Sequence, residues 1–260
     1  MNLKFSPERS ESDQTPSGYV RLDGNGYRAV ARDVAAAAVA EILSSGNLHA
    51  WASQQPEREE MRGRGIVYAV ELPTIPAIPV VIRRNCHGGL LRGLTGEFFL
   101  YPTRSPLELA TALRLAAAGI ATPEVIAYAI YPAAGMFARS DVMTRRLPKG
   151  DDFPAAWKKG GKEGRDALLA VLARLLVSLA DAGVWHADLN LKNIYISATG
   201  ADLTAYLLDV DRVTFPVVTD IADRNFRRLA RSARKWRTRW DLDFDEDALA
   251  RLAILAEVNA

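Results

Sequence analysis

The residues best suited to chemistry lie between His186 and Asn193, in the run His-Ala-Asp-Leu-Asn-Leu-Lys-Asn. Asp188 offers a carboxylate that can take a proton, and Asn193 offers an amide oxygen that can hold a metal. Their spacing, H-x-D-L-x-x-x-N, is that of a phosphotransfer catalytic loop. In transfer from ATP, such an Asp accepts the proton of the acceptor hydroxyl, and such an Asn holds magnesium against the leaving phosphates. His186 opens the pattern and is grouped with Asp188 and Asn193 as catalytic. Asp and Asn also form ordinary turns, so the neighbouring chain must carry the assignment.

Downstream, residues 193–197 read as a strand, 198–201 as a turn and 203–209 as a returning strand. A hairpin of this length brings Asp209 back beside Asn193, where both can face one metal. Asp211 follows in Leu207-Leu-Asp-Val-Asp211 and stays open as the alternative ligand, so the metal set is Asn193, Asp209 and Asp211. Upstream, residues 166–180 are apolar nearly all round. They predict a buried helix that stops at Gly183 and delivers the loop.

The runs His186–Ile194 and Leu207–Arg212 resemble the lipopolysaccharide kinase family, and within it most closely the members acting on 3-deoxy-D-manno-octulosonic acid (Kdo). Asn190 after Asp-Leu, and the Asp-x-Asp-Arg ending, distinguish them from ordinary protein kinases. Matches at Gly63–Tyr68, Arg83-Arg84 with Gly88-Gly-Leu90, and Gly119–Pro123 extend the resemblance from about Leu48 to Trp236. It implies an α+β, two-lobed, protein-kinase-like fold, with an N-terminal antiparallel sheet carrying one main helix and a mostly helical C-terminal lobe. It also implies ATP and Mg2+ as cofactors, and a hydroxyl of the Kdo sugar of a lipid A precursor, an anionic glycolipid, as acceptor. The residues alone imply a kinase-like phosphotransferase.

For the nucleotide, Gly63-Arg-Gly65 before a strand suits a phosphate-covering turn, because glycine lets backbone amides approach the oxygens. The third glycine of the protein-kinase pattern is replaced by Tyr68. Val80-Val-Ile-Arg83 stands where V-A-I-K places its lysine, so an arginine must do that work. Arg83 keeps the register, but Arg84 remains the alternative because alternation sends the two to opposite faces. A helix from Ser105 to Gly119 offers Glu108 as the carboxylate partner. Adenine is expected to meet backbone groups near residues 142–145, which puts Met143 and Arg145 among the cofactor-binding candidates.

Length and charge set the frame. The 260-residue chain can hold two lobes, and its formal net charge of +2 makes attraction to an anionic partner a local matter. We expect an arm over residues 1–18, a nucleotide-binding lobe over 19–144, and a catalytic and acceptor-binding lobe over 145–260. Residues 29–44 read as a helix by propensity, residues 66–72 and 79–83 as strands, and the stretches 148–152 and 158–162 as surface loops. Cys86 is the single cysteine, which suits a reducing compartment, and no apolar signal core opens the chain. From Arg224 to Arg239 eight basic residues occur with no acid between them, interleaved with Phe226, Leu229 and Trp236 and followed by Trp240. This predicts a basic helix in peripheral contact with an anionic membrane surface, on the cytoplasmic face of the inner membrane, with no nucleic acid expected. Only 51 residues follow Asp209, too few for a peptide-binding lobe. The alternatives kept are a heptose kinase, a small-molecule kinase of the aminoglycoside-phosphotransferase type, and a non-catalytic scaffold on a kinase fold.

Overall fold

A computed structural model describes residues 15–62, 65–85, 99–100, 103–133, 137–199 and 202–258. Contacts divide the chain into two compact units, Met1–Ala110 with Val125–Arg146 and Thr111–Glu124 with Leu147–Ala260.

The first unit is built on an antiparallel sheet. Strand β1 (Tyr19–Gly24) turns through Asn25-Gly26 into β2 (Tyr27–Arg32), with Gly24 paired to Tyr27. Gly26 has φ +88°, the left-handed conformation that Asn-Gly hairpins require. Helices α1 (Ala36–Ser45) and α2 (Leu48–Gln54) follow, then β3 (Glu59–Arg62), β4 (Ile66–Leu72), β5 (Ile78–Arg84), β6 (Phe99–Leu100), helix α3 (Ser105–Ala117), β7 (Val125–Pro132) and β8 (Phe137–Arg145). The order across the sheet is β1-β2-β7-β8-β5-β4-β3, with β6 also on β8. Val39, Ile42 and Leu43 of α1 and Leu48 of α2 pack with Val70, Val80, Ile82 and Ile126 of the sheet in one apolar core.

The helix expected over residues 29–44 is therefore two elements. Residues 29–32 belong to a strand paired on both sides, and the helix proper begins at Ala36. Alanine propensity was overridden by a sheet position in which Ala29, Val30 and Ala31 are buried.

The second unit is mostly helical, with small sheets. Strand β9 (Gly150–Asp152) leads into α4 (Phe153–Lys159) and α5 (Lys162–Asp181), then β10 (Trp185–His186), β11 (Ile194–Thr199), β12 (Asp202–Leu207), β13 (Val213–Thr214), α6 (Ile221–Trp240) and α7 (Glu246–Leu255). The stretches read as loops are partly ordered elements: Gly150–Asp152 pairs with β11, and Lys158 and Lys159 close α4. At Gly150 a Cβ would stand 2.1 Å from the Ile196 carbonyl oxygen, so this pairing needs glycine. Helix α5 buries Leu169, Leu172, Leu176 and Leu179. It stops at Gly183, φ +64°, where the Val184 amide donates back to the Leu179 carbonyl at 2.8 Å. The fold is α+β, an antiparallel sheet with helices followed by a mostly helical part.

Candidate active site

In the second unit, α5 ends directly before β10, and β10 carries His186 into the loop. His186 is fully buried, and its ring orders the turn. The Asp188 amide donates to His186 Nδ1 at 3.1 Å, so the ring proton sits on Nε2, which faces the Leu208 carbonyl at 3.4 Å. Burial holds the imidazole below its ordinary value, against the opposing pull of the Leu208 carbonyl, Asp188 and Asp211. His186 thus orders the turn that carries Asp188.

Asn193 donates through Nδ2 to the Asp188 carbonyl at 3.1 Å, which ties the two ends of the loop together. Asn190 accepts from the amides of Lys192 (3.0 Å) and Asn193 (3.2 Å) and donates to the Asp188 carbonyl at 3.1 Å. The hairpin β11–β12 then returns the chain as its residues predict, with Ile194 paired to Leu207. Leu208 is held from both sides: its amide donates to the Asn193 carbonyl at 2.8 Å, and its carbonyl faces His186. Asp209 comes next, in the left-handed conformation (φ +57°) that an Asp tolerates better than most residues. Asp211 lies in the 3₁₀ turn that follows. The segment before β7 joins this end of the hairpin, because Leu207 donates to the Ala121 carbonyl at 2.8 Å and accepts from Thr122 Oγ1 at 2.9 Å.

Helix α6 braces the loop through residues that sequence reasoning did not select. Asn225, fully buried, accepts from the His186 amide at 3.1 Å and donates to the Val184 carbonyl at 2.7 Å. Ser232 accepts from the Leu191 amide at 3.2 Å. Arg228 donates through Nε to the Ala187 carbonyl at 3.1 Å and through Nη2 to Asp188 Oδ1. Positions 225, 228 and 232 share one helical face, so this face grips the loop. Phe226 and Leu229 pack inward and do not belong to an exposed amphipathic surface. Arg224 pairs with Asp220, and Arg234 and Arg237 pair with Glu246, whose carboxyl their hydrogen bonds hold below the usual range.

Asp188 keeps a carboxylate oxygen, Oδ2, that accepts no hydrogen bond among the described residues, and its side chain is 36 % exposed. The oxygen-bearing residues expected to hold a cation, Asn193, Asp209 and Asp211, flank the same end of the β11–β12 hairpin. No group of three or more His, Cys, Asp or Glu residues able to hold a metal occurs among the described residues. An oxygen-only set with few carboxylates fits magnesium, which takes its other ligands from phosphates and water.

In the first unit, Arg83 on β5 donates to Glu108 of α3 and, at 2.6 Å, to Asn85 Oδ1. Glu108 is buried, so this is the arginine–carboxylate pair expected from the register. Arg84 goes elsewhere: it donates to buried Asp141 at 3.1 Å and to Asn47, the N-cap of α2, at 3.0 Å. Met143, in the stretch whose backbone is expected to meet adenine, has its side chain fully buried in the sheet core, with β5 and β7 paired on either side of it. Arg145 ends β8 and is half-buried. Gly65 directly precedes β4, whereas Gly63 and Gly88–Leu90 lie outside the described residues.

Residues 49–252 match the model of the lipopolysaccharide kinase (Kdo/WaaP) family. The chain is similar to 3-deoxy-D-manno-octulosonic acid kinases from Vibrio vulnificus (29 % identical, covering 78 % of this chain and 84 % of the relative) and Haemophilus influenzae Rd (27 %, 78 % and 85 %). A third, from Pasteurella multocida, is 24 % identical over 75 % of this chain and 82 % of its own. Among solved structures, WaaP in complex with acyl carrier protein aligns at TM-score 0.49 and 16 % identity, covering 80 % of this chain and 85 % of that one.

Proposed function

The chain belongs to the lipopolysaccharide kinase (Kdo/WaaP) family, a kinase of a sugar hydroxyl, and we propose that its acceptor is the Kdo sugar of a lipid A precursor and its donor ATP. The observation that carries the chemistry is the catalytic loop. Asp188 has one oxygen fixed by Arg228 and the other open, and its main chain is tied to the residue that would share the metal. The choice of Kdo is supported by the relatives, which are 3-deoxy-D-manno-octulosonic acid kinases.

Asp188 Oδ2 takes the proton of the acceptor hydroxyl as that oxygen bonds to the γ-phosphorus, and the bond from phosphorus to the bridging oxygen breaks to leave ADP. Asn193 Oδ1 and Asp209 would hold magnesium, with Asp211 the alternative carboxylate, and the ion would offset charge on the phosphates. Arg83, fixed by Glu108, would hold phosphate oxygens as the usual lysine does, but as a planar fork. Gly65 and Arg145 would complete the nucleotide contacts.

No helix among the described residues is long and apolar enough to cross a membrane. Peripheral contact with an anionic membrane surface is best placed on Arg231, Lys235 and Arg239, which are exposed and four residues apart on α6. Trp236 and Trp240, with ring centroids 4.4 Å apart, add an aromatic pair to that helix end. The test is mass spectrometry of a Kdo-bearing lipid A precursor incubated with ATP, magnesium and the protein. A single added phosphate on Kdo is expected; phosphate on another sugar, or none, refutes the acceptor assignment.

A further inference from the structure

We propose that Arg228 is the specificity-determining residue of the acceptor side, receiving the carboxylate of the acceptor sugar. This rests on the Kdo reading above, Kdo being an acid by its own name.

A guanidinium has five N–H groups in one plane. In Arg228 the Nε–H goes to the Ala187 carbonyl and one Nη2–H goes to Asp188 Oδ1. The remaining donors, on Nη1 and Nη2, lie in the same fork as those bonds, immediately beside the base. The side chain is 27 % exposed, so they are partly withdrawn from water but still reachable. Any acceptor that places a hydroxyl on Oδ2 must present its neighbouring substituents near this fork.

Charge gives the second step. Asp188, Asp209 and Asp211 lie on one stretch of the second unit, and ATP brings further negative charge. An acidic sugar entering there meets repulsion from these carboxylates, and Arg228 is the cation paired with Asp188 itself. The pair with Arg228 offsets the charge of Asp188, and the fork then offers the directional, two-pronged contact that carboxylates favour. For a cationic acceptor the same residue would be an obstacle. Phosphoryl transfer through a loose transition state asks its Asp chiefly to orient the hydroxyl, so pairing the base with a cation is tolerable. Most other basic residues of α6 that carry ion pairs meet carboxylates away from the loop, as Arg224 does with Asp220 and Arg234 with Glu246.

The experiment compares two acceptors, the Kdo-bearing lipid A precursor and the same molecule with its Kdo carboxyl group as the methyl ester, in wild type, Arg228→Gln and Arg228→Lys. Wild type should prefer the acid by about 10- to 100-fold in kcat/KM, the size of a charge-assisted hydrogen bond. Arg228→Gln should bring that ratio close to one, mainly through the KM of the acid, with the KM for ATP within about twofold of wild type. Arg228→Lys keeps a charge but loses the fork. It should retain a ratio of a few-fold, and it decides the matter if the Gln variant does not fold by its thermal transition. An equal fall in kcat on both acceptors, with the ratio unchanged, would show that Arg228 only holds the loop, and overturns the proposal. So does a wild type that turns over acid and ester alike. A wild type that phosphorylates neither refutes the Kdo reading itself, and the inference falls with it.

Discussion

Replacing Asn225 with alanine should cost both stability and turnover, although the residue touches no reactant. Asn225 is fully buried, as are its partners His186 and Val184. The change removes the acceptor of the His186 amide, 3.1 Å away, and the donor to the Val184 carbonyl, 2.7 Å away. Each stranded buried group costs about 1–3 kcal/mol, so the pair costs about 2–6 kcal/mol. In a chain of this size each kcal/mol moves a thermal midpoint by about 2–4 °C, which gives a fall of roughly 5–20 °C. Asn225→Asp should not rescue, because it keeps an acceptor for the amide but turns a second oxygen on the Val184 carbonyl. Below the transition, kcat should drop at least about tenfold, since His186 anchors the Asp188 turn and a displacement near 1 Å is enough for such losses. The KM for ATP should stay within about twofold. Circular dichroism melts and steady-state kinetics on the same preparations provide the check. A midpoint within about 1 °C of wild type, or an unchanged kcat, would refute the reasoning that α6 positions the loop.

Asp188→Ala should lower kcat by about 10²–10⁴-fold with ATP binding largely intact, and a variant retaining more than a tenth of wild-type kcat would show that Asp188 is not the base. Asp209→Asn and Asn193→Ala should each raise the magnesium concentration for half-maximal activity, since each weakens an oxygen ligand; unchanged titrations would move the site to Asp211 or dismiss it. His186, held below its ordinary value by burial, takes up its proton more readily in the unfolded chain. The stability it contributes is therefore present above about pH 6.5 and is lost as pH falls below that, at up to about 1.4 kcal/mol per pH unit, and an NMR titration placing its ring at or above 6.5 would contradict this. Changing Arg231, Lys235 and Arg239 to Gln should weaken binding to anionic vesicles at low salt, by on the order of 1 kcal/mol per residue, and leave ATP binding unchanged, whereas equal vesicle binding would reject that surface.

What could be read in advance was the chemistry whose partners are close in sequence or fixed by alternation. Asn193 and the end of β12 are joined by a short hairpin, so strand length alone predicts that the returning strand ends beside Asn193, expected at Asp209 and bonded there through the preceding Leu208. Two adjacent arginines on a strand must diverge, and they do, Arg83 to Glu108 and Arg84 to Asp141. The β1–β2 hairpin was not anticipated, although Asn25-Gly26 is a hairpin signal, and the alanine run after it extended the expected helix into residues 29–32. The approach to the end of β8 was read as a strand, but a pattern along one strand does not tell that Met143 lies between two neighbours.

The basic helix shows where composition stops being informative. Eight positive charges between residues 224 and 239 look like one surface, yet the structure divides them by partner. Arg228 turns to the loop that carries Asp188, Arg224, Arg227, Arg234 and Arg237 turn to nearby acids, and Arg231, Lys235 and Arg239 stay exposed. The decisive signal was polar rather than charged. Asn225 and Ser232 stand on the face that also carries Leu229 and is buried, and a buried polar side chain has to satisfy something. Here the groups it satisfies are the amides and a carbonyl of a loop and the two-residue strand that leads into it, about 40 residues earlier. No local rule identifies those partners from the sequence. A polar pair on the apolar stripe of an otherwise basic helix, however, is a reason to look for an irregular loop beneath it, and in this chain that loop carries Asp188.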